Sequence, residues 1–187
     1  MQTRSLTILI LIFLLPTLAS AQQERHHIKL SKEKEAWGAE KYLVSEFRLT
    51  LSAALALTAA ARTTATAMDK AVSIAILDQS GIEILISRGD GVGPHNTEAA
   101  RRKAYTALST KTETRTLARK VKHSSDSENL AHMPELLLLG GGVPLIYNAK
   151  VVGSIGVAGG GGAENDELIA KSAALHFLNI TKSNTRK

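Results

Sequence analysis

The tract "LLLLGGGVPLIYNAKVVGSIGVAGGGGAENDELIAKSA", Leu136 to Ala173, constrains the fold more than any other part of the chain. Two glycine clusters, Gly140–Gly142 and Gly159–Gly162, bracket two apolar runs joined only by "NAK". So short a link permits an antiparallel hairpin and no crossover. A phosphate cradle is excluded by pattern, because neither G-x-x-x-x-G-K-S/T nor G-x-G-x-x-G stands between a strand and a helix. It is also excluded by charge. Glu164, Asp166 and Glu167 fill the first turn of the helix that follows, where they suit the helix dipole and repel an anion. The glycines therefore read as framework. Gly153 and Gly156 let another backbone or a ligand approach the strand, and Gly159–Gly162 make a sharp strand-to-helix turn.

The rest of the chain supplies elements to pack against this hairpin. Thr50 or Ser52 caps an Ala/Leu-rich helix over "AALALTAAARTTATA", weakened at its end by the late threonines. "AVSIAIL" and "IEILISR" flank the turn "DQSG" and form a second hairpin. After the loop "GDGVGPHN", Asn96 or Thr97 caps a helix whose small-residue stripe is Ala100, Ala104, Ala107 and Leu108. A short helix capped by Thr112, a polar loop "KHSSDSENLAHMP" and a strand "ELLLL" lead back to the glycine tract. The order predicts an α+β domain on one five-stranded, mainly antiparallel sheet.

The N-terminus reads as a signal peptide over residues 1–21. Arg4 precedes the apolar run Leu6–Leu15, Pro16 breaks it, and "ASA" places cleavage between Ala21 and Gln22. Residues 22–48 form a flexible lead, 49–180 the folded domain and 181–187 a basic tail. The expected location is the periplasm or the medium. Absence of cysteine excludes disulfides, thiolate metal sites and cysteine nucleophiles. A net charge of +6 is spread in small groups, and three Phe, three Tyr and one Trp offer little for base stacking, so nucleic acid is not the expected partner.

Three motifs together resemble the GlcG/HbpS haem-binding family. They are "GGGVPLIYNAKVVGSIGVAGGGGAENDELIAKSA", the hairpin "AVSIAILDQSGIEILISRGDG" and the helix "EAARRKAYTAL". Arg88, Asp90 and Gly91 stand in register with the second motif, and Lys103, Ala104 and Thr106 with the third. The resemblance runs from about Leu51 to Leu178. It implies a three-layer α/β/α sandwich similar to profilin-like folds, and assembly into a homo-oligomer, a dimer or a multiple of it. It further implies haem as the ligand, with iron as a related one. The loop "GVGPHN" and the polar segment "HSSDSENLAHMP" depart from the family pattern.

Haem requires an apolar slot, an axial donor and cations for its propionates. His95, in the Gly/Pro loop, is the leading axial and metal-binding candidate. Tyr105 is a phenolate candidate beside Arg101 and Arg102. Thr106 is a weak oxygen ligand placed in the slot by the family. Arg88 and Lys103 are the propionate candidates. The first reading is an exported haem-binding or haem-sequestering protein without catalysis of its own. The second is an enzyme on a small carboxylate metabolite, held by Arg88 and Lys103, with Asp166 or Glu167 as base. The third is a periplasmic module that engages a membrane sensor. Protein recovered from the periplasm or medium is expected to begin at Gln22. Intact-mass measurement checks this, and a mass that retains residues 1–21 overturns the export reading.

Overall fold

The computed structural model describes residues 22–25, 42–123 and 125–184. The expected signal peptide, most of the lead and the end of the tail lie outside the described residues. The chain divides into two units, Met1–Glu46 and Phe47–Lys187, and every element named below belongs to the second. Among the described residues, no helix is long and apolar enough to cross a membrane.

Helix α1 spans Leu51–Ala67 and is capped by Thr50, whose hydroxyl accepts from the Ala53 N–H at 3.2 Å. Its threonine-rich end is helical through Ala67. Thr63 and Thr64 donate back to the carbonyls of Ala59 and Ala60, which satisfies their hydroxyls inside the helix. Strands β1 (Ser73–Asp78) and β2 (Glu83–Ser87) form the expected hairpin. Asp78 Oδ1 accepts from the N–H groups of Ser80 at 2.8 Å and Ile82 at 3.0 Å, and Gly81 adopts φ +82°.

Helix α2 spans Pro94–Thr110 and begins earlier than expected. Gly93 is its N-cap and Pro94 its first residue, a place where proline's fixed φ helps and its missing N–H costs nothing. Asn96 and Thr97 are therefore not caps, and the Thr97 hydroxyl lies 3.0 Å from that of Ser73. Helix α3 spans Thr114–Val121 with Glu113, not Thr112, at its N-cap. Thr112 turns its hydroxyl back to the Thr110 carbonyl at 2.9 Å. The segment read as a polar loop contains a 3₁₀ helix, Ser125–His132. Strands β3 (Gly142–Tyr147) and β4 (Lys150–Ala158) meet in a tight turn in which Asn148 and Ala149 both have positive φ. Helix α4 spans Ala163–Asn184.

The sheet is antiparallel throughout, in the order β2-β1-β4-β3. It has four strands among the described residues, not five. The expected strand "ELLLL" does not pair. Its backbone groups are instead taken by side chains of α2. Leu136 C=O accepts from Arg102 Nη2 at 2.7 Å, and Leu137 N–H donates to Thr106 Oγ1 at 2.8 Å. Apolar composition suggested a strand, but these bonds draw the segment onto a helix.

Alternation along the strands sorts the core. Ile74, Ile76, Ile155, Val157, Val143 and Leu145 pack with Leu57 and Ala61 of α1 and Ile169 and Ala173 of α4. Ala75 and Leu77 point the other way, toward Ala100 and Ala104 of α2. On that second face the strands carry small residues. A Cβ on Gly156 would collide with the Ala100 carbonyl and the Ala104 nitrogen, and one on Gly142 with the Lys103 carbonyl. The small stripe of α2 thus lies against bare β4 backbone. Gly156→Ala is expected to cost about 2–3 kcal/mol through overpacking. Gly91→Ala, where φ is +74° but nothing stands within 4 Å, is expected to cost about 1–2 kcal/mol from backbone strain alone. Urea unfolding of the two variants checks the ranking.

Candidate functional site

The two glycine clusters meet at one buried ion pair. Lys103 Nζ lies 2.7 Å from Asp166 Oδ2 and donates to the Val157 carbonyl at 3.0 Å. Both residues are nearly closed to solvent, at 3% and 5% exposure. Asp166 Oδ1 accepts from the Gly160 N–H at 2.7 Å. Gly141 has φ +119°, and a Cβ there would stand 2.5 Å from the Val157 carbonyl and 3.1 Å from Lys103 Nζ. Gly140 is equally closed, 2.5 Å from the Ala163 carbonyl. Thr114 completes the knot by accepting from the Gly142 N–H at 2.9 Å.

A more exposed chain of charges continues outward from the knot. Arg115 pairs with Glu164 and lies 3.5 Å from Glu167 Oε2, a distance at which that oxygen receives charge but no hydrogen bond. Lys171 Nζ bridges Glu113 at 2.8 Å and Glu167 at 2.6 Å. These two bonds hold the Lys171 ammonium above the ordinary lysine range, so it stays cationic at every physiological pH. On α2, Arg101 binds Glu98 and Glu135, which raises the guanidinium's pKa, while Arg101 holds Glu98 below the usual carboxylate range.

Beside this chain opens a cavity of about 620 Å³ along the outer edge of β3. Val143, Pro144, Leu145 and Ile146 line it from the strand, and Ala174, Leu175 and Leu178 from α4. Its polar lining comes from the α2–α3 junction and from α4. Lys111 and Lys171 are the cations, and Thr112, Glu113 and Thr116 the remainder. The size falls within the usual range for small-molecule sites, and so does an apolar wall with a few charged groups.

The residues singled out from the sequence do not converge. His95 is exposed in the first turn of α2, and its ring folds over Gly93. Arg88 is exposed at the end of β2. Lys103 is committed to Asp166. Thr106 is fully buried and donates to the Arg102 carbonyl at 2.7 Å while accepting from Leu137. Tyr105 is half-buried beside the "DQSG" turn, in a separate cavity of about 220 Å³. His176, late in α4, is exposed. Among the described residues no three His, Asp or Glu side chains group as a metal site. Sequence reasoning missed the β3-edge cavity. Its one signal was Pro144 inside a strand, which marks a sheet edge.

Removing one partner from the buried pair leaves the other charge stranded. Lys103→Met is expected to cost about 3–5 kcal/mol. The double variant Lys103→Met/Asp166→Asn, which keeps an acceptor for Gly160, is expected to recover a large part of that loss. Chemical denaturation of the single and double variants checks it.

The model of the family described as haem degrading protein HbpS-like matches residues 49–175. A crystal structure of a double mutant of HbpS from Streptomyces reticuli superposes with a TM-score of 0.68, at 35% identity over 72% of this chain and 90% of that one. The PduOC:haem complex superposes with a TM-score of 0.63, at 27% identity over 69% of this chain and 94% of that one. A 15.0 kDa Citrobacter freundii protein, described as uncharacterised and from the dhaT-dhaS intergenic region, is 30% identical over 127 residues, or 67% of this chain and 89% of its own length. On the match over residues 49–175, the chain belongs to the HbpS-like family.

Proposed function

We propose that this protein binds haem and acts, after export, as a haem-sequestering protein. The observation that carries the reading is the mainly apolar cavity of about 620 Å³ with Lys111 and Lys171 in its lining. An apolar wall can bury a porphyrin face, and the Lys111 ammonium can meet a propionate, whereas Lys171 is already bonded to Glu113 and Glu167. Membership of a family described as haem degrading and HbpS-like, and similarity to a PduOC structure solved with haem, support the same ligand. The pattern of Arg4, an apolar run and "ASA" supports export. The family resemblance supports a homo-oligomer, although the small stripe of α2 is spent within the chain against β4, and a membrane sensor is a partner consistent with export.

The competing enzyme reading requires Arg88 and Lys103 to hold a carboxylate while Asp166 or Glu167 takes a proton. Lys103 and Asp166 neutralise each other in a buried contact, and Glu167 is bonded to Lys171. None of these three groups is free to do so without dismantling the knot. A second haem reading places the ring at the Gly89–Asn96 corner, with His95 on the iron and Arg88 at a propionate. The exposure of the His95 ring favours it.

Hemin added to the purified protein is expected to give a saturable Soret shift at one hemin per chain, stable over hours. Absorption titration checks this. A band that never saturates sinks the haem reading, and one that decays under reductant or peroxide replaces sequestration with degradation. His95→Ala leaves the spectrum unchanged if the cavity holds the ring and shifts it if the corner does.

A further inference from the structure

The small cavity beside the "DQSG" turn has no part in the haem reading, and it does not stand alone. It shares Lys111 with the cavity along β3. The two also adjoin across the β3–β4 hairpin, because Val151 lines the smaller one and its cross-strand partner Ile146 lines the larger. Their linings are unlike. The smaller, of about 220 Å³, presents the hydroxyl residues Ser80, Tyr105 and Ser109 and no carboxylate. The larger, of about 620 Å³, is walled mainly by apolar side chains, and its one acid, Glu113, is bonded to Lys171.

Lys111 sets the charge of the combined site. It is exposed at the left-handed C-cap of α2, with φ +51°, and among the described residues it forms no ion pair. Lys171, by contrast, is bonded to both Glu113 and Glu167. One uncommitted ammonium therefore stands where the polar cavity passes into the apolar one.

From this arrangement we infer that the two cavities form one binding site for a single-headed amphiphile, a free fatty acid. Its carboxylate meets the Lys111 ammonium and the hydroxyl groups of the smaller cavity, a charge-assisted contact with no acid in that lining to oppose it. Its chain lies along β3 against Leu175 and Leu178 of α4. Ile146 and Leu175, 44% and 61% exposed, are large apolar side chains that such a chain covers. The apolar track runs from Val143 to Ile146 on the strand and from Lys171 to Leu178 on the helix, roughly 10 Å along each. Affinity must then grow with chain length until that track is full. The inference goes beyond the haem reading and does not rest on it, since that reading stands or falls on the hemin spectrum.

The test is calorimetric titration of the chain from Gln22 onward with octanoate, decanoate and dodecanoate, each below its micelle concentration. One site per chain is expected, with affinity rising about fourfold per added methylene, or ~0.8 kcal/mol. Dodecylamine, with the same tail and the opposite charge, is expected to bind at least tenfold more weakly than dodecanoate. Lys111→Glu and Leu175→Glu, both at exposed positions, are each expected to weaken dodecanoate at least tenfold. Arg119→Glu, the same charge change outside both linings, is expected to leave it unaltered. Circular dichroism checks that the variants keep their fold. Absence of binding overturns the inference. So does binding that ignores chain length, Lys111→Glu or Leu175→Glu, that falls equally with Arg119→Glu, or that dodecylamine matches. Light scattering in which Leu175→Glu breaks a dimer, with dodecanoate bound to neither form, assigns the apolar wall to a second copy and also overturns it.

Discussion

The fold depends on a lysine that passes through the edge of the sheet. Lys103 belongs to α2 and Asp166 to α4, and the strand residues that face these two helices alternate along β1 and β4. The pair therefore ties together helices packed on opposite sides of the same strands. It can do so only where the sheet is incomplete. β3 begins at Gly142, opposite Gly156, so the last residues of β4 have lost their neighbour on that side. The Val157 N–H finds Gly141, and its carbonyl takes the ammonium of Lys103. Three glycines, Gly140, Gly141 and Gly160, leave the space that the side chains and their bonds occupy. A buried charge is tolerated here because each one is paired and hydrogen-bonded, Lys103 Nζ to two acceptors and Asp166 through both of its oxygens. The pair is better understood as fixing register between layers than as a large source of net stability.

That constraint explains the smooth contact between α2 and the sheet. A lysine stem of fixed length anchors α2 next to β4, so the helix must lie close. Closeness requires small residues on both sides, and both sides supply them: Ala100 and Ala104 on the helix, Ala75, Gly142, Ser154 and Gly156 on the strands. The opposite face carries larger residues, with Leu57, Ile74, Ile76, Ile155 and Ile169 filling a thicker layer. One side of the sheet is thus a rigid backbone-to-helix contact and the other an ordinary apolar core.

The elements were largely legible because each rests on a local rule. The stripe of α2, the Asp78 turn, the Thr50 cap and the turn of the β3–β4 hairpin are settled by residues within a few positions of one another. The errors arise where distant partners decide. Leu136 and Leu137 read as a strand until Arg102 and Thr106 claim their backbone groups from 34 and 31 residues away in the sequence. Glu164, Asp166 and Glu167 read as three dipole-compensating acids, whereas Asp166 and Glu167 are buried partners of Lys103 and Lys171. The site was least legible. A motif lysine looks the same in sequence whether its ammonium meets a ligand or a buried aspartate, and a cavity formed by three separated segments has no local pattern.

The knot and the cavity contrast in how they are held. The knot is buried and crowded, so it resists rearrangement. The cavity lies at the free edge of β3, where Pro144 withholds an N–H and the register slips between Leu145 and Ile146. Its two walls are joined by ion pairs of partly exposed groups, Lys171 with Glu113 and Arg115 with Glu164, each worth only about 0–1 kcal/mol. Such links hold α3 near α4 without locking it there. Lys103 and Asp166, by contrast, tie α2 and α4 to the end of β4 through buried bonds. The fold thus keeps its most closely bonded contact in the core and its weakest links at the open edge of β3.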